Sequence, residues 1–250
     1  MTDLPRPVLV GIGAAWVAAI GAQVAGVAAL ANHDSLLTGD RPPIVLAVLI
    51  ALLAWQVMIA AMMLPSSLPL IRLYARASDR APQRGRSMAA FIGGYAVVWS
   101  AFGLAAFGFD ASLHAAVNSS SWLTHHDWWI GGSVLALAGA FQFTSLKDAC
   151  LDKCRHPAQF MMRYYERGPA GGFRLGARHG LFCVGCCWAL MFVLFAAGVA
   201  SLIWMALLTG VMIHEKTRPM GARAVPVTGA ALLGAASIVL IYSAYAAGAV

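Results

Sequence analysis

The sequence predicts an all-α protein, a bundle of transmembrane helices. Of its 250 residues, 60% are hydrophobic and only 11% are charged, whereas about a quarter of the residues in an average soluble domain are charged. Several runs approach the roughly 20 consecutive apolar residues that carry a helix across the hydrocarbon core. No stretch shows the alternating pattern of the strands of a membrane barrel. We therefore expect residues 1–250 to form a single integral membrane domain in a lipid bilayer.

Seven spans are predicted, with the N-terminus on the cytoplasmic side. In order, they cover about residues 8–31, 43–64, 88–109, 128–146, the two halves of 181–213, and 224–247. The first is an anchor that stays in the protein, because its apolar stretch is longer than the ~7–15 residues of the apolar region of a signal peptide.

The count of seven depends on residues 181–213, which carry no charge over 33 residues. As one helix they would measure roughly 50 Å, against a hydrocarbon core of ~30 Å. We therefore expect a hairpin that turns near residues 198–201. If the run formed one tilted helix instead, the protein would have six spans.

Local sequence signals predict where helices end. Pro65 lacks a backbone donor and is expected to kink or stop the second helix. The fourth helix is expected to continue through Cys154 and to end at His156, because a residue before a proline is disfavoured in the α region. The Gly-rich residues 168–172 are expected to form a flexible link.

Three segments carry an excess of positive charge that outweighs the negative balance of the other residues and gives the net charge of +7. Residues 72–86 carry +4, residues 147–178 carry +4 and residues 215–223 carry +2. Positive charge accumulates in the cytoplasmic loops of membrane proteins, so residues 72–87 and 147–180 are predicted to be cytoplasmic loops. Topology thereby explains the positive charge, and no nucleic-acid partner is expected.

All five cysteines lie in two short stretches within 38 residues. Cys150 and Cys154 follow the fourth span, and Cys183, Cys186 and Cys187 open the fifth. At about 100° per residue, the first pair is separated by about 40° and the second group spans about 100° of its helix. On the predicted topology both groups meet at the cytoplasmic face of the membrane and direct up to five sulfurs to one point.

A sulfur-rich point indicates a soft metal ion, because thiolate and thioether ligands select Cu(I), zinc or iron–sulfur clusters over hard cations. Met191 extends the stripe of Cys187 by one turn, and Met58 and Met62 share a face of the second helix. These thioethers favour Cu(I), since zinc sites use Cys, His and carboxylate ligands. His156 is a further candidate ligand. The predicted site thus comprises the five cysteines, three methionines and His156, with zinc or an iron–sulfur cluster as the alternatives to copper.

Two other functions remain open. A C-x2-C motif at a helix N-terminus also activates the cysteines of thiol–disulfide redox enzymes, although thiols on the cytoplasmic side stay reduced. A cysteine in a membrane helix can also act as a small apolar residue, which would fit an accessory subunit with structural cysteines. The sequence shows no nucleophile–base pair or phosphate-binding loop, and its predicted spans hold no charge, so neither an enzyme nor a transporter is favoured.

Several motifs resemble one known family. They are Trp55-x2-Met58-x2-Ala61-Met62-Met63-x-Pro65, Gln142-x3-Leu146-Lys147-x2-Cys150-Leu151-x2-Cys154-Arg155-x-Pro157, Gly176-x3-Gly180-x2-Cys183-x-Gly185-Cys186-Cys187-Trp188-x2-Met191, and Trp204-Met205 with Glu215-Lys216. They are similar to the motifs of the predicted metal-binding integral membrane proteins, a bacterial family sometimes labelled copper chaperones. The resemblance implies a multi-pass protein of the bacterial inner membrane with a metal site at the matching Cys and Met positions. Copper delivery would involve a partner protein that donates or receives the metal, and Glu215 with Lys216 is expected to be a structural ion pair.

Overall fold

The fold is all-α, as predicted. A computed structural model describes residues 5–28, 42–79, 81, 83–126, 128–196, 201–217, 221–246 and 248, and within these residues it has no strand. The helices, in chain order, are α1 (Arg6–Val24), α2 (Ile44–Ala77), α3 (Arg84–Ser119), α4 (Ser121–His125), α5 (Trp128–Phe141), α6 (Ser145–Arg155), α7 (Pro157–Tyr164), α8 (Gly168–Ala196), α9 (Leu202–Thr217) and α10 (Gly221–Ala246).

Five of these helices are long and apolar enough to cross a membrane: α1, α2, α3, α8 and α10. Helices α5 and α6 together would make a sixth span, broken by a bend of 65°. Helix α9 is shorter, at 16 residues. Most of the hairpin turn predicted at residues 198–201 lies outside the described residues. The segments on either side of it are two separate helices, α8 and α9. A membrane helical bundle is therefore supported, while the count of seven spans and their orientation stay predictions.

Helix α2 continues through Pro65 and Pro69 to Ala77, so the expected stop at Pro65 is wrong, while the expected kink stays a prediction. A proline leaves the carbonyl four residues earlier without its usual N–H donor. Here that carbonyl belongs to Ala61, and the indole Nε1 of Trp16 in α1 donates to it at 3.0 Å. Because a neighbouring helix satisfies the freed group, the helix passes through the proline.

The fourth predicted helix does not continue to Cys154 but breaks at residues 142–144. The break gives α6 its own N-terminus, where the side chain of Thr144 accepts a hydrogen bond from the backbone N–H of Lys147 at 3.3 Å. Such a cap replaces a bond that the interrupted helix would have made. The predicted end before Pro157 is confirmed, since α6 ends at Arg155 and α7 begins at Pro157.

The glycines after residue 168 do not form a flexible link, because they belong to the first turns of α8. Gly172, Gly176 and Gly180 recur every four residues and face α3. A side chain at Gly176 would overlap the backbone carbonyl oxygen of Phe91, and one at Gly94 would overlap the backbone of α8. Small residues of this kind let two membrane helices pack backbone to backbone. Their role is therefore close packing rather than freedom of movement.

The segments predicted as basic loops are largely helical. Residues 72–77 finish α2 and residues 84–87 begin α3, while residues 147–180 contain most of α6, all of α7 and the start of α8. Their location on the cytoplasmic side stays a prediction. Helix α8 itself lies at the centre of the bundle, in contact with α3, α5, α6 and α9.

Candidate metal site

The three clustered cysteines of α8 lie in the centre of the bundle. Cys183, Cys186 and Cys187 are each at most 1% exposed. They sit near the middle of α8 rather than at its N-terminus, because the helix begins at Gly168, well before the apolar run that starts at residue 181. The expectation that a helix N-terminus activates Cys183 is therefore wrong.

Sulfur atoms from three helices meet at this point. The thiols of Cys186 and Cys187 both donate to the backbone carbonyl oxygen of Cys183, at 3.1 and 2.9 Å. The Cys187 Sγ also lies 3.9 Å from the Sδ of Met63 in α2. Cys154 of α6 packs against the same buried core as these thiols. We call Cys154, Cys183, Cys186, Cys187 and Met63 the sulfur cluster.

Polar groups surround the sulfur of Cys183. The hydroxyl of Tyr95 lies 3.1 Å from the Cys183 Sγ, and the ammonium Nζ of Lys216 lies 3.2 Å from it. The Lys216 Nζ also donates to Ser66 Oγ at 3.1 Å. These three residues come from α3, α9 and α2, so the polar surroundings are built by helices that are far apart in the sequence.

The other predicted ligands are distributed around the sulfur cluster. Cys150 is half-buried at its edge, where its Sγ lies 2.6 Å from the position that a side chain on Gly185 would occupy. Three methionines are buried in the same hydrophobic core, namely Met58, Met62 and Met191. His156 is half-exposed at the junction of α6 and α7, and its Nδ1 lies 3.0 Å from the Asp152 carboxylate. The structure thus brings the thiols of α6 and α8 together but pairs His156 with an acidic residue.

Sequence reasoning missed three residues that contact the cysteines. Met63 follows the predicted ligand Met62 directly in the sequence. If the second helix is continued through Pro65, both methionines lie inside the helix and both can be buried. Tyr95 and Lys216 carry the signal of a polar side chain within or next to an apolar run. Such side chains in membrane helices point to the bundle interior by default.

Glu215 and Lys216 do not pair with each other. The Glu215 Oε2 accepts a hydrogen bond from Lys147 Nζ at 2.7 Å, and both side chains are at most 2% exposed. The Nε of Arg155 donates to the backbone carbonyl oxygen of Glu215 at 2.7 Å. Lys147 and Glu215 thus form a neutral buried pair that joins α6 to α9, and the charge of Lys216 is directed to the sulfur cluster instead.

The chemistry of these donors fits a soft cation. In the part of the chain that the structure describes, no three His, Cys, Asp or Glu side chains are arranged to hold a metal ion together. The groups that do meet are thiols and a thioether, ligand types that select soft ions such as Cu(I) over hard cations.

A family model described as a copper chaperone, PpoB2, matches residues 52–239. No curated protein and no solved structure matches the chain. The matched region is well over half of the chain and includes every residue of the sulfur cluster together with Tyr95 and Lys216. The chain therefore belongs to the PpoB2 copper chaperone family.

Proposed function

We propose that this protein is a membrane copper chaperone that carries Cu(I) as its cargo in the sulfur cluster. The observation that carries the proposal is the 3.9 Å contact between Met63 Sδ of α2 and Cys187 Sγ, beside the buried thiols of Cys183 and Cys186, with Cys154 of α6 packed against the same core. Thiols and a thioether brought together favour a soft metal ion such as Cu(I).

The thioether favours copper over the alternatives. Zinc sites are built from Cys, His and carboxylate ligands, whereas Met63 places a thioether sulfur 3.9 Å from Cys187 Sγ. Binding would replace the hydrogen bonds that Cys186 and Cys187 donate to the Cys183 carbonyl, and the thiol protons would be released as the metal binds. Cys150, Met58, Met62, Met191 and His156 would then be outer residues that support or extend the cluster.

The proposed setting is the bacterial inner membrane, with the cluster reached from the cytoplasmic side. Exposed apolar side chains on α1 and α10, such as Val17 and Ile238, are at least 70% exposed and would face lipid. A chaperone must exchange its cargo, so a protein that donates or receives Cu(I) is the expected partner.

The direct test is metal analysis after anaerobic purification in detergent. Wild type should hold near-stoichiometric Cu(I) after reconstitution, and the Cys183→Ser/Cys186→Ser/Cys187→Ser variant should lose it. Helical circular dichroism of both proteins would verify that the variant is folded. Equal copper content in the two proteins would contradict the proposal.

The same experiment distinguishes copper binding from thiol redox chemistry. Cys154 and Cys186 come from two helices that pack against each other in one core, an arrangement that would also suit a reversible disulfide. Wild type that stays free of metal after reconstitution but forms a Cys154–Cys186 disulfide, reversed by dithiothreitol, would replace the copper proposal with a redox function.

A further inference from the structure

Lys216 carries a buried positive charge whose partner is sulfur rather than a carboxylate. Its side chain is 5% exposed, and its Nζ contacts Cys183 Sγ at 3.2 Å and Ser66 Oγ at 3.1 Å. The Ser66 hydroxyl donates its own proton to the Met63 carbonyl oxygen at 2.9 Å, so toward Lys216 it acts as an acceptor. A neutral hydroxyl cannot balance a buried ammonium, so the charge of Lys216 is directed to the sulfur cluster, which it contacts at Cys183.

The carboxylate nearest to Lys216 in the sequence, that of Glu215, is paired with another lysine. Glu215 precedes Lys216 in the sequence, but its Oε2 is paired with Lys147 Nζ at 2.7 Å. Within the described residues, no Asp or Glu forms an ion pair with Lys216. The buried charges of Lys147 and Glu215 cancel, and Lys216 is the charged side chain in direct contact with Cys183 Sγ.

Polar groups from three helices surround the Cys183 sulfur. The His179 Nε2 bonds to Ser67 Oγ at 3.0 Å, and Ser67 donates to the Tyr95 hydroxyl at 3.4 Å. The Tyr95 hydroxyl lies 3.1 Å from Cys183 Sγ, and either group can be the donor of this bond. Cys183 Sγ therefore has two polar neighbours, of which Lys216 is the one that carries a charge.

We propose that Lys216 makes the sulfur cluster selective for monovalent soft cations over divalent ones. The inference rests on the proposed function and deepens it. For the same set of thiolates, the complex of a monovalent ion carries one more negative charge than the complex of a divalent ion. The ammonium of Lys216 therefore stabilises the monovalent complex more, because the repulsion between ammonium and metal doubles with the charge of the ion.

The test compares the binding of Ag(I), a redox-stable monovalent probe, with that of Zn(II). The variants are Lys216→Met, which removes the charge, and Lys216→Arg, which keeps it. Lys153→Met is the matched control, because it removes one positive charge from a lysine that is 40% exposed and paired with Asp152. Affinities would be measured on the metal-free full-length protein in detergent by competition with a chromophoric chelator.

Lys216→Met should weaken Ag(I) binding by about 10–100-fold, the size expected when a group that supports metal ligands is lost. Its Zn(II) affinity should stay the same or rise, so the ratio of the two affinities should fall. Lys216→Arg should recover part of the Ag(I) affinity, and Lys153→Met should leave both affinities unchanged. An equal loss of Ag(I) and Zn(II) binding in Lys216→Met, or an unchanged ratio, would overturn the inference.

The outcome separates this inference from the proposed function. If wild type binds no Ag(I), the proposed function fails; if wild type binds Ag(I) and the ratio is insensitive to Lys216, only the inference fails. Should Lys216→Met not fold, Lys216→Gln removes the same charge while it keeps a polar side chain beside Ser66. We expect the same fall in the ratio of Ag(I) to Zn(II) affinity in Lys216→Gln, and an unchanged ratio would overturn the inference.

Discussion

At the scale of single residues, the sulfur cluster depends on which methionine faces the thiols. Met62 and Met63 are adjacent and both are fully buried, but the Sδ of Met63 is the one that lies 3.9 Å from Cys187. Neighbouring positions on a helix are separated by about 100°, so one of two adjacent methionines can face the thiols while the other packs elsewhere. The amino-acid composition does not predict which of the two methionines faces the thiols, because this depends on how α2 is rotated in the bundle.

The first prediction concerns Met63. Met63→Leu should lower the affinity for Cu(I) by about ten-fold or more, since a ligand or its close support is lost, while the volume-conserving change should destabilise the fold by less than about 1.5 kcal/mol. Chelator competition under anaerobic conditions measures the affinity. Met162→Leu is the control, because Met162 is 81% exposed. Equal affinities of the Met63 variant and wild type would exclude thioether ligation by Met63.

The second prediction concerns the hydrogen bond by which Trp16 compensates for Pro65. Trp16→Phe should remove the donor to the Ala61 carbonyl and destabilise the protein by about 1–3 kcal/mol, the penalty for a buried acceptor left unsatisfied. Pro65→Ala restores a backbone N–H that can reach the same carbonyl. The penalty for Trp16→Phe should therefore be smaller in the Pro65→Ala background.

Unfolding of the four proteins of this double-mutant cycle, in detergent, measures the coupling. Trp122→Phe is the control, since Trp122 is 54% exposed and its indole is far from any proline in the sequence. Additive effects of Trp16→Phe and Pro65→Ala would show that the indole does not compensate for the proline.

At the scale of elements, two kinds of contact hold the site in shape. The glycine-lined contact between α3 and α8 brings Tyr95 to the cysteine face of α8, and the buried Lys147–Glu215 pair joins α6 to α9. The first is a packing contact that small residues permit. The second is an ion pair whose members depend on each other in a dry interior.

The third prediction tests the packing of α3 against α8. Gly94→Ala should destabilise the protein by about 1–3 kcal/mol, because the added methyl group would overlap the backbone of α8 and force the helices apart. Gly93→Ala is a matched control on the same helix, since its added methyl group meets open space. That variant should be neutral or more stable by up to ~1 kcal/mol, owing to the higher helix propensity of alanine.

Thermal unfolding followed by circular dichroism compares the two glycine variants with wild type. We also expect reduced Cu(I) affinity in Gly94→Ala alone, because Tyr95 follows directly in the sequence. Equal stabilities of the two variants would mean that α3 and α8 do not pack through Gly94.

The fourth prediction tests the Lys147–Glu215 pair. Glu215→Gln should destabilise the protein by about 3–5 kcal/mol, because it leaves the Lys147 charge buried without a partner. The Lys147→Met/Glu215→Leu variant removes both charges and should be closer to wild type in its free energy of unfolding. Glu166→Gln is the control, since its pair with Arg174 is exposed, and exposed pairs contribute about 1 kcal/mol or less.

At the scale of the whole molecule, the ends of the long helices define two faces. Helix α3 has 36 residues and is therefore about 54 Å long, which exceeds a hydrocarbon core of ~30 Å. Its two ends should lie on opposite sides of the membrane. The basic end around Arg86 is predicted to be cytoplasmic, and the end near Ser121 to be external.

The fifth prediction follows from these faces. A cysteine introduced as Ser121→Cys should react with a membrane-impermeant maleimide in intact spheroplasts, whereas Arg86→Cys should react only after lysis; both positions are exposed. Wild type provides the background, since its five cysteines are buried or half-buried. The reverse pattern would invert the topology, and labelling of both positions in intact spheroplasts would rule out α3 as a span.

The sequence by itself determined the class of fold and the chemical character of the site. Long apolar runs predict membrane helices because hydropathy is a property of local sequence, and the spacing of the five cysteines within 38 residues predicts that their sulfurs come close. The charge pattern likewise predicts an orientation without reference to any contact.

Only the tertiary structure decided which groups meet. Lys216 contacts Cys183 and Ser66, which are 33 and 150 residues away, and α2 passes through Pro65 because Trp16 satisfies a carbonyl 45 residues away from it. Such contacts depend on helix rotation and close approach in three dimensions, which the local sequence does not encode. In a dry interior, those contacts determine where a helix continues, which methionine faces the thiols and which lysine balances them.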